Sequence, residues 1–462
     1  MITPSAPATH RSTDLELVGA DRVVPLVTGG TTRYVNLDYA ASAPCLVPVK
    51  RAVDDLLEWY ASVHRGAGFL SDVSTRAYEG ARTAVGEFVG SRADDVVVFT
   101  RNTTDATNLL AAALPADAQV VTFASEHHAN LLPWFRRGAT VLPIPRSPDE
   151  AVDMLDRALR TGASGPRLVA VTGASNVTGE LWPYEQLTRV AHGHGARLLL
   201  DAAQVAPHRP IDMSATDVDY VALSGHKLYA PLGAGALIGR RDWLAAGEPM
   251  LAGGGAVRFV RVDEVLWADL PDRAEAGTPN IVGAVALGVA CRTLASADRD
   301  RLAAVETALI DEAQTRLDAI PAVRCHRLWS PPHPRIGVLT FSLRGLGYAQ
   351  LAAALSAEHG IGVRHGCFCA HPLITDLLDI DDRAVAAIGA ALRAGRSPAM
   401  PGAVRLSIGL GTTSTDIDRL VGALEDIAVS GPRWTYRTSP DGKDCDPDPD
   451  PRPRPHVAFE LA

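Results

Sequence analysis

Residues 197–227 read RLLLDAAQVAPHRPIDMSATDVDYVALSGHK, and the pattern that begins here decides the fold. The apolar runs Arg197–Asp201 and Asp219–Leu223 are short and nearly continuous, which is typical of strands covered on both faces of a parallel sheet. Asp201 ends the first run, and Lys227 comes soon after the second. Ligands of such sheets bind at the carboxyl ends of the strands, so both side chains are candidates for a common site.

The same alternation extends through the N-terminal part of the chain. Further strand candidates are Val96–Thr100, Gln119–Phe123, Arg167–Thr172 and Gly235–Ile238. Helical patterns lie between the strands at Thr104–Ala113, Glu150–Arg160 and Tyr184–His194. This alternation predicts βαβ units with right-handed crossovers, and therefore an α/β fold with a mostly parallel sheet between helices.

The pattern changes near residue 290, where a smaller α+β unit is expected. Its helix candidates are Ser296–Leu317, Tyr348–His359 and a helix from Ser414 to about Val429, and its strand candidates are Val338–Leu343, Ile361–Arg364 and Ala403–Ile408. We therefore expect a flexible N-terminal segment (1–30), a large domain (31–290) and a small domain (291–431), with residues 31–45 belonging to either domain. The Pro- and Asp-rich residues 432–462 are predicted to be a disordered tail, or a tail whose last apolar turn docks a partner.

Composition narrows the class of protein. The chain has 462 residues, 47% of them apolar, and a formal charge of −9, which argues against binding nucleic acid through bulk positive charge. It has no apolar run long enough to span a membrane, and its N-terminus lacks the apolar core of a secretory signal. Six scattered cysteines favour reduced thiols over a disulfide framework, so we expect a cytoplasmic protein.

Lys227 belongs to the run Ser224-Gly225-His226-Lys227, which precedes a Gly-rich turn at 228–235 that would hold the lysine stem rigidly. A lysine whose neutral amine is favoured by desolvation or nearby cations can form a Schiff base with an aldehyde. Ser224 and His226 are placed to donate to a phosphate. The alternative is an ordinary surface lysine.

Other polar groups follow strands in the same way. An acid at a buried strand end, such as Asp201, must be paired, and a pyridinium N–H is a suitable partner; the alternative is a helix cap. Gln204 lies one helical turn further on.

Thr103 and Thr104 begin a helix, which makes an anion site. His127 could stack on a pyridine ring, serve as a structural residue or bind metal, but no second cluster at zinc-ligand spacing supports metal.

Taken in order, these motifs resemble class V aminotransferase-fold enzymes, which have the fold type I architecture. The branch most similar to this chain is that of the group II cysteine desulfurases and selenocysteine lyases, and the likeness spans about residues 33–430. The motifs that carry the likeness are Asn36–Pro44, Val63–Gly66, Thr103-Thr104, Glu126–Asn130, Ser175–Gly179, Asp201–Gln204, Ser224–Lys227 and Glu275–Asn280.

The resemblance implies a pyridoxal 5'-phosphate enzyme and a role for each site residue. Lys227 would hold the cofactor as a Schiff base, Asp201 would pair with the pyridinium, and His127 would stack on the ring. Gln204 and Asn176 would lie close to the phenolic side of the cofactor and to the substrate. Arg405 would bind the substrate carboxylate. The cofactor phosphate would be bound by Thr103, Thr104, Ser224 and His226. Thr278 would reach the phosphate of the neighbouring subunit, which implies a homodimer with shared active sites.

The run Arg364-His365-Gly366-Cys367-Phe368-Cys369 decides the reaction. It is similar to the nucleophile loop of that branch, with Cys369 at the nucleophile position and Arg364 at the loop arginine. Cys367 and Phe368 replace two His residues, and the run is also similar to the aminotransferase-like domain of molybdenum cofactor sulfurases. Two structural or redox-active thiols, or a metal site made of His365, Cys367, Cys369 and His371, are the alternatives.

The function implied by the resemblance is removal of sulfur from L-cysteine. The products would be L-alanine and a persulfide on Cys369, which a sulfur-acceptor protein would receive. The alternatives are an aminotransferase, epimerase or carbon–sulfur lyase on the same fold, and an inactive scaffold that binds a sulfur carrier. Two departures from the family bear on substrate and acceptor: a 35-residue interval between Cys369 and Arg405, and Leu410-Gly411 in place of a Tyr-Asn pair.

Overall fold

The computed structural model describes residues 15–161, 165–330 and 333–455. The helices are α1 (Val47–Glu58), α2 (Phe69–Phe88), α3 (Thr103–Ala113), α4 (Leu132–Phe135), α5 (Pro148–Thr161), α6 (Tyr184–Gly193), α7 (Val205–His208), α8 (Met213–Thr216), α9 (Arg241–Ala246), α10 (Ile281–Ala295), α11 (Arg299–Asp318), α12 (Tyr348–His359), α13 (His371–Leu377), α14 (Asp382–Arg393) and α15 (Ser414–Ser430). Short 3-10 turns occur at His128–Asn130 and Asp272–Ala274.

The strands are β1 (Val23–Pro25), β2 (Thr31–Arg33), β3 (Val35–Asn36), β4 (Val96–Thr100), β5 (Gln119–Phe123), β6 (Thr140–Leu142), β7 (Arg167–Thr172), β8 (Arg197–Asp201), β9 (Tyr220–Ser224), β10 (Gly235–Gly239), β11 (Val257–Arg261), β12 (Glu264–Trp267), β13 (Val323–His326), β14 (Val338–Leu343), β15 (Ile361–Gly362), β16 (Arg364–Gly366), β17 (Ala403–Ser407), β18 (Tyr436–Thr438) and β19 (Cys445–Pro447).

A seven-stranded sheet in the order β4-β10-β9-β8-β7-β5-β6 forms the centre of the large unit. Its strands are parallel except β10, which runs antiparallel to β4 and β9. The residues of β7, β8 and β9 are almost all buried, as helices on both faces require. The predicted α/β fold with a mostly parallel sheet is confirmed, and β6 is a strand that the sequence pattern did not indicate.

The C-terminal part contains a second sheet, in the antiparallel order β13-β14-β17-β16. Helices α11, α12 and α15 contribute buried side chains to its core. The predicted single strand Ile361–Arg364 is divided, because β15 pairs with β3 while β16 pairs with β17. Through that pairing Val35 and Leu37, from the N-terminal part of the chain, lie in the core of the second sheet.

The predicted disordered tail is wrong for residues 432–455. Strands β18 and β19 form an antiparallel hairpin there. The carboxylate of Glu358 on α12, which is buried, accepts hydrogen bonds from Arg433 N, Trp434 N and Tyr436 Oη. The proline content of the tail favours an extended, disordered chain. Hydrogen bonds from the start of the tail to Glu358 nevertheless hold it against α12. The final apolar turn lies in residues 456–462, outside the described residues.

At the N-terminus, residues 1–14 lie outside the described residues, so the expected flexibility is untested there. Residues 15–30 are packed, with Leu17 buried and bridged to Leu46, and with β1 paired to β2. In the described part of the chain no single helix is long and apolar enough to cross a membrane. The pair α10 and α11 meets that criterion only jointly, on length and composition, and is bent by 86°.

Candidate active site

A cavity of about 220 Å³ opens at the carboxyl ends of β7, β8 and β9. All the predicted site residues except Thr278 line it, although they come from distant parts of the sequence. They are Thr103, Thr104, His127, Asn176, Asp201, Gln204, Ser224, His226, Lys227, Arg364, Cys369 and Arg405. The residues that follow β4, β5, β7, β8 and β9 meet at one edge of the large sheet. The second sheet contributes Arg364, Cys369 and Arg405, from β16, the loop after it and β17.

Thr278 lies elsewhere. It lines a separate cavity of about 280 Å³ together with His64, Arg65 and Gly255. Arg65 donates to the carbonyl of Gly255 at 3.2 Å, which ties the two chain segments of this cavity together. A single chain therefore does not bring Thr278 to the other predicted phosphate ligands.

Lys227 and Asp201 face the same cavity. Lys227 follows β9 in a turn in which its backbone N–H donates to the carbonyl of Ser224 at 3.2 Å. Burial lowers the pKa of Lys227 to about 8, and the positive charge of Arg405 lowers it as well, while Asp201 and Cys369 act in the opposite sense. A lowered pKa makes the neutral, nucleophilic amine accessible near physiological pH.

The Asp201 carboxylate ends β8 and is buried. Its Oδ1 accepts a hydrogen bond from the backbone N–H of Ala203 at 2.9 Å. Burial raises the pKa of Asp201, whereas the Ala203 hydrogen bond and the charge of Lys227 lower it. The carboxylate lines the cavity. It does not cap the next helix, because the N-cap of α7 is Gln204 and no side chain caps that helix.

His127 is held as a neutral ring in one tautomer. The backbone N–H of Ala129 donates to its Nδ1 at 3.0 Å, which leaves the ring proton on Nε2. Burial lowers the pKa of His127 to about 3, and the positive charges of Lys227 and Arg405 contribute. A flat, uncharged imidazole that lines the cavity suits stacking on an aromatic ligand.

An anion cradle lies where β9 and α3 meet. Ser224 Oγ accepts from the backbone N–H of Thr103 at 2.8 Å and lies 2.9 Å from Thr103 Oγ1. Gly235 allows the close approach, because a Cβ there would meet the backbone of Asn102 at 2.7 Å. Hydroxyl groups at the start of a helix, such as those of Thr103 and Thr104 together with Ser224, are donors that a phosphate needs.

Arg405, on β17, is buried and is held by two acceptors. Its Nη1 donates to the carbonyl of Asn176 at 2.8 Å, and its Nη2 donates to Asp38 Oδ1 at 3.3 Å. The ring of Phe368 lies 5.1 Å from its guanidinium carbon. Burial lowers the pKa of Arg405 to about 10, so the group stays charged at neutral pH and can bind a carboxylate.

Cys369 is an exposed thiol on a tight loop between β16 and α13. Phe368 and Cys369 both have positive φ angles, 53° and 55°, and the backbone N–H of His128 donates to the Cys369 carbonyl at 2.7 Å. Asn176 also donates to the carbonyl of Phe368, at 2.8 Å. Cys369 lines the cavity, whereas Cys367 packs against the hydrophobic core, so the two thiols have different surroundings.

The metal alternative for this loop is not supported. Among the residues that the structure describes, no three His, Cys, Asp or Glu side chains form a group that could hold a metal ion. His371 instead stacks on His128, with ring centres 5.0 Å apart and an interplanar angle of 14°.

Two acidic residues near the site had no role in the sequence analysis. Asp38 contacts Arg405, as described above. Glu126 is fully buried, and its carboxylate accepts from Asn130 Nδ2 at 2.8 Å and from the backbone N–H of Thr172 at 3.0 Å. Asp38 and Glu126 belong to the motifs Asn36–Pro44 and Glu126–Asn130. The sequence therefore indicated the motifs, but it did not predict which residues these two carboxylates contact.

The donor set fits pyridoxal phosphate. Each part of the cofactor has a matching group in the cavity. The amine of lowered pKa suits the aldehyde, and the buried carboxylate suits the pyridinium. The neutral imidazole suits the ring face, and the hydroxyl-rich helix start suits the phosphate. These groups are Lys227, Asp201, His127, and Thr103 with Ser224.

Comparisons with known proteins agree with this chemistry. A cysteine desulfurase of Dickeya dadantii is 36% identical over 412 residues, covering 87% of this chain and 93% of the relative. A probable cysteine desulfurase of Halalkalibacterium halodurans is 35% identical over 350 residues, covering 74% of this chain and 85% of the relative.

Solved structures show the same fold. A cysteine desulfurase of Escherichia coli superposes with a TM-score of 0.72 at 31% identity, covering 86% of this chain and 94% of that one. One from Thermococcus onnurineus gives a TM-score of 0.75 at 29% identity, covering 86% and 95%. Residues 35–420 match the sequence model of the family described as Aminotransferase class-V. The chain therefore belongs to the class-V aminotransferase family, whose cysteine desulfurases are pyridoxal phosphate enzymes.

Proposed function

We propose that this chain is a cysteine desulfurase in which Cys369 takes the sulfur of L-cysteine. The observation that carries the proposal is that an exposed thiol lines the same cavity as a half-buried lysine and a buried arginine. The names of the relatives support the same activity.

We assign a role in the reaction to each of the main residues that line the cavity. Arg405 binds the substrate carboxylate, with Asn176 and Arg364 beside it, and Gln204 orients the phenolic side of the cofactor. Lys227 holds the cofactor and moves the proton of the substrate α-carbon at its Nζ. The cofactor, when bound, withdraws electrons from that carbon.

The sulfur transfer balances without an external oxidant. The Cys369 thiolate attacks the substrate sulfur, so an S–S bond forms as the substrate C–S bond breaks. The electron pair of the broken bond stays on the substrate carbon, which takes up a proton and becomes the methyl group of alanine. The thiolate, rather than the neutral thiol, is the nucleophile in this step.

We further propose a cytoplasmic homodimer that passes the sulfur to an acceptor protein. Thr278 supports the dimer, because it lies in its own surface cavity beside the exposed hairpin β11–β12 and would reach the phosphate of a second copy. The free cysteines support a reducing compartment, and cell fractionation that finds the chain outside the cytoplasm would contradict it.

The test is a pair of matched thiol variants. Purified holoenzyme is incubated with L-cysteine, and alanine, sulfide and protein persulfide are measured. Cys369→Ala should lose at least about 100-fold in alanine formation while its cofactor absorbance is retained, because the thiol takes part only in the chemical step. Cys367→Ala, two residues away and outside the cavity, should keep most activity. Undiminished alanine formation by Cys369→Ala would refute the proposal.

A further inference from the structure

The loop that carries Cys369 has a strained backbone. Phe368 and Cys369 both have positive φ angles, a region that residues other than glycine adopt only at a cost in free energy. Such a conformation persists where surrounding contacts hold it. Asn176 holds the loop before the thiol, at the carbonyl of Phe368, and His128 holds it at the thiol and after it.

His128 contacts the chain on both sides of the Cys369 side chain. Its backbone N–H donates to the carbonyl of Cys369 at 2.7 Å. Its ring Nε2 accepts from the backbone N–H of His371 at 3.4 Å and lies 3.2 Å from His371 Nδ1. The two imidazole rings also stack. One residue therefore fixes positions 369 and 371, with its backbone and its ring respectively.

The segment around His128 is itself attached to the cofactor side of the cavity. His127, the preceding residue, lines the cavity with its ring, whereas His128 does not line it. The carbonyl of Ala129, the following residue, accepts from Thr107 Oγ1 of α3 at 2.8 Å. The helix that begins the anion cradle and the ring expected to stack on the cofactor are thus tied to the nucleophile loop through His128.

The ring contact requires an uncharged His128. Because Nε2 accepts the N–H of His371, the ring proton of His128 is on Nδ1. Burial lowers the pKa of His128, and the charge of His371 lowers it further. Burial and the charge of Lys443 lower the pKa of His371 in the same way. Both pKa values lie below the ordinary 6.5, so the two rings are mostly neutral at neutral pH.

We propose that His128 is a positioning residue that holds the Cys369 thiol in place for the attack on the substrate sulfur. The proposal rests on the proposed function for the identity of that reaction. His128 acts through the backbone of residues 369–371. Loss of its ring acceptor leaves Arg405 and Lys227 as they are, so it slows the sulfur transfer without weakening the binding of substrate or cofactor.

Two substitutions separate the ring acceptor from the ring stack. His128→Phe keeps a flat ring against His371 and removes the acceptor, whereas His128→Gln supplies a side-chain oxygen at a similar reach. With holoenzyme and L-cysteine, kcat for alanine formation should fall about 10-fold in His128→Phe, while KM and cofactor absorbance stay within about twofold. His128→Gln should keep at least about half of kcat. An undiminished kcat in His128→Phe, or a rise in KM that matches the fall in kcat, would overturn the proposal.

The pH profile gives a readout that packing alone would not change. The titratable groups near His128 are His127 on its own segment, Cys369 and His371 on the facing loop, and Lys443, whose charge acts on His371. Protonation of His128 makes Nε2 a donor that faces the N–H of His371, so the contact is lost at acid pH. Glutamine does not titrate there, and the kcat ratio of His128→Gln to the unsubstituted enzyme should rise from about pH 7.5 to about pH 5. If His128→Phe does not fold, a constant ratio overturns the proposal by itself.

Hydrogen exchange tests the placement of the loop apart from the reaction. In the holoenzyme without substrate, the amides of residues 367–377 should exchange at least about 10-fold faster in His128→Phe and at nearly the unsubstituted rate in His128→Gln. Unchanged exchange in His128→Phe would contradict the proposal. If the unsubstituted chain does not desulfurate L-cysteine, the proposed function fails, whereas the exchange rates still report on His128.

Discussion

At the scale of single residues, burial sets the protonation states in the site. It lowers the pKa of Lys227 to about 8 and of His127 to about 3, and it raises the pKa of Glu126 to about 8. In all three residues the largest cause is loss of solvation, which disfavours the charged form. At neutral pH His127 and Glu126 are therefore mostly uncharged, and the neutral amine of Lys227 becomes accessible near pH 8. Such perturbed groups cluster at functional sites.

Glu126 gives a prediction about stability and pH. Its pKa in the folded chain lies above the ordinary value of 4.5, so its contribution is fully present below pH 4.5 and is lost as pH rises toward about 8. Glu126→Gln should remove this loss, a difference on the order of 5 kcal/mol between those pH values. The measurement is urea unfolding of the cofactor-free protein from pH 5 to 8.

A matched substitution on the surface serves as the control. Glu185→Gln changes an exposed glutamate at the start of α6 and should leave the pH dependence of unfolding as it is. A pH dependence in Glu126→Gln equal to that of the unsubstituted chain would show that the Glu126 carboxyl is charged in the fold.

At the scale of elements, a buried side chain of α12 accepts several hydrogen bonds from the segment that leads into the C-terminal hairpin. Glu358 accepts from Arg433 N at 2.9 Å and from Tyr436 Oη at 2.8 Å, while Trp434 Nε1 donates to the carbonyl of Pro449 at 2.8 Å. Charge-assisted hydrogen bonds to a buried carboxylate are among the stronger ones in proteins. We therefore expect Glu358 to contribute strongly to docking of the hairpin on α12.

Glu358→Ala should release the hairpin. Its loss leaves two backbone donors and a phenol without their acceptor, which should cost about 2–4 kcal/mol of the free energy of unfolding. Limited proteolysis should then cut residues 432–455 before the rest of the chain. Asp426→Ala, which removes an exposed pairing with Arg433, is the control and should leave the cleavage rate nearly constant. Equal cleavage rates in both variants would contradict this account.

At the scale of the whole molecule, one exposed apolar region stands out beside the cavity that contains Thr278. Phe259, Val260, Val265 and Leu266 of the hairpin β11–β12 are exposed. The base of the hairpin is joined to that cavity, because Gly277 N donates to the carbonyl of Gly254 at 2.6 Å. Clustered exposed apolar side chains mark interaction sites, which is consistent with the proposed dimer.

Phe259→Asp should weaken the dimer. A charge in the centre of an apolar contact is costly, so the dissociation constant of the dimer should rise at least about 100-fold, as sedimentation measures. Val429→Asp, which places a charge at an exposed valine of α15, should have little effect. A chain that sediments as a monomer before any substitution would exclude the dimer.

Sequence alone determined the layout of the molecule. The strands β4, β5, β7, β8 and β14 have the predicted bounds, because a buried strand is a local run of apolar residues. Polar motifs that follow predicted strands were expected at the carboxyl edge of the sheet. All of the predicted site residues except Thr278 line the cavity.

Only the tertiary structure decided the contacts between distant segments. Asp38 and Arg405 are 367 positions apart, and Glu358 and Tyr436 are 78 apart. Cys367 and Cys369 are two positions apart in sequence, yet Cys367 packs against the core and Cys369 lines the cavity. The physical reason is that strand and helix patterns follow from nearby residues, whereas ion pairs, burial and pKa values depend on which segments the fold brings together.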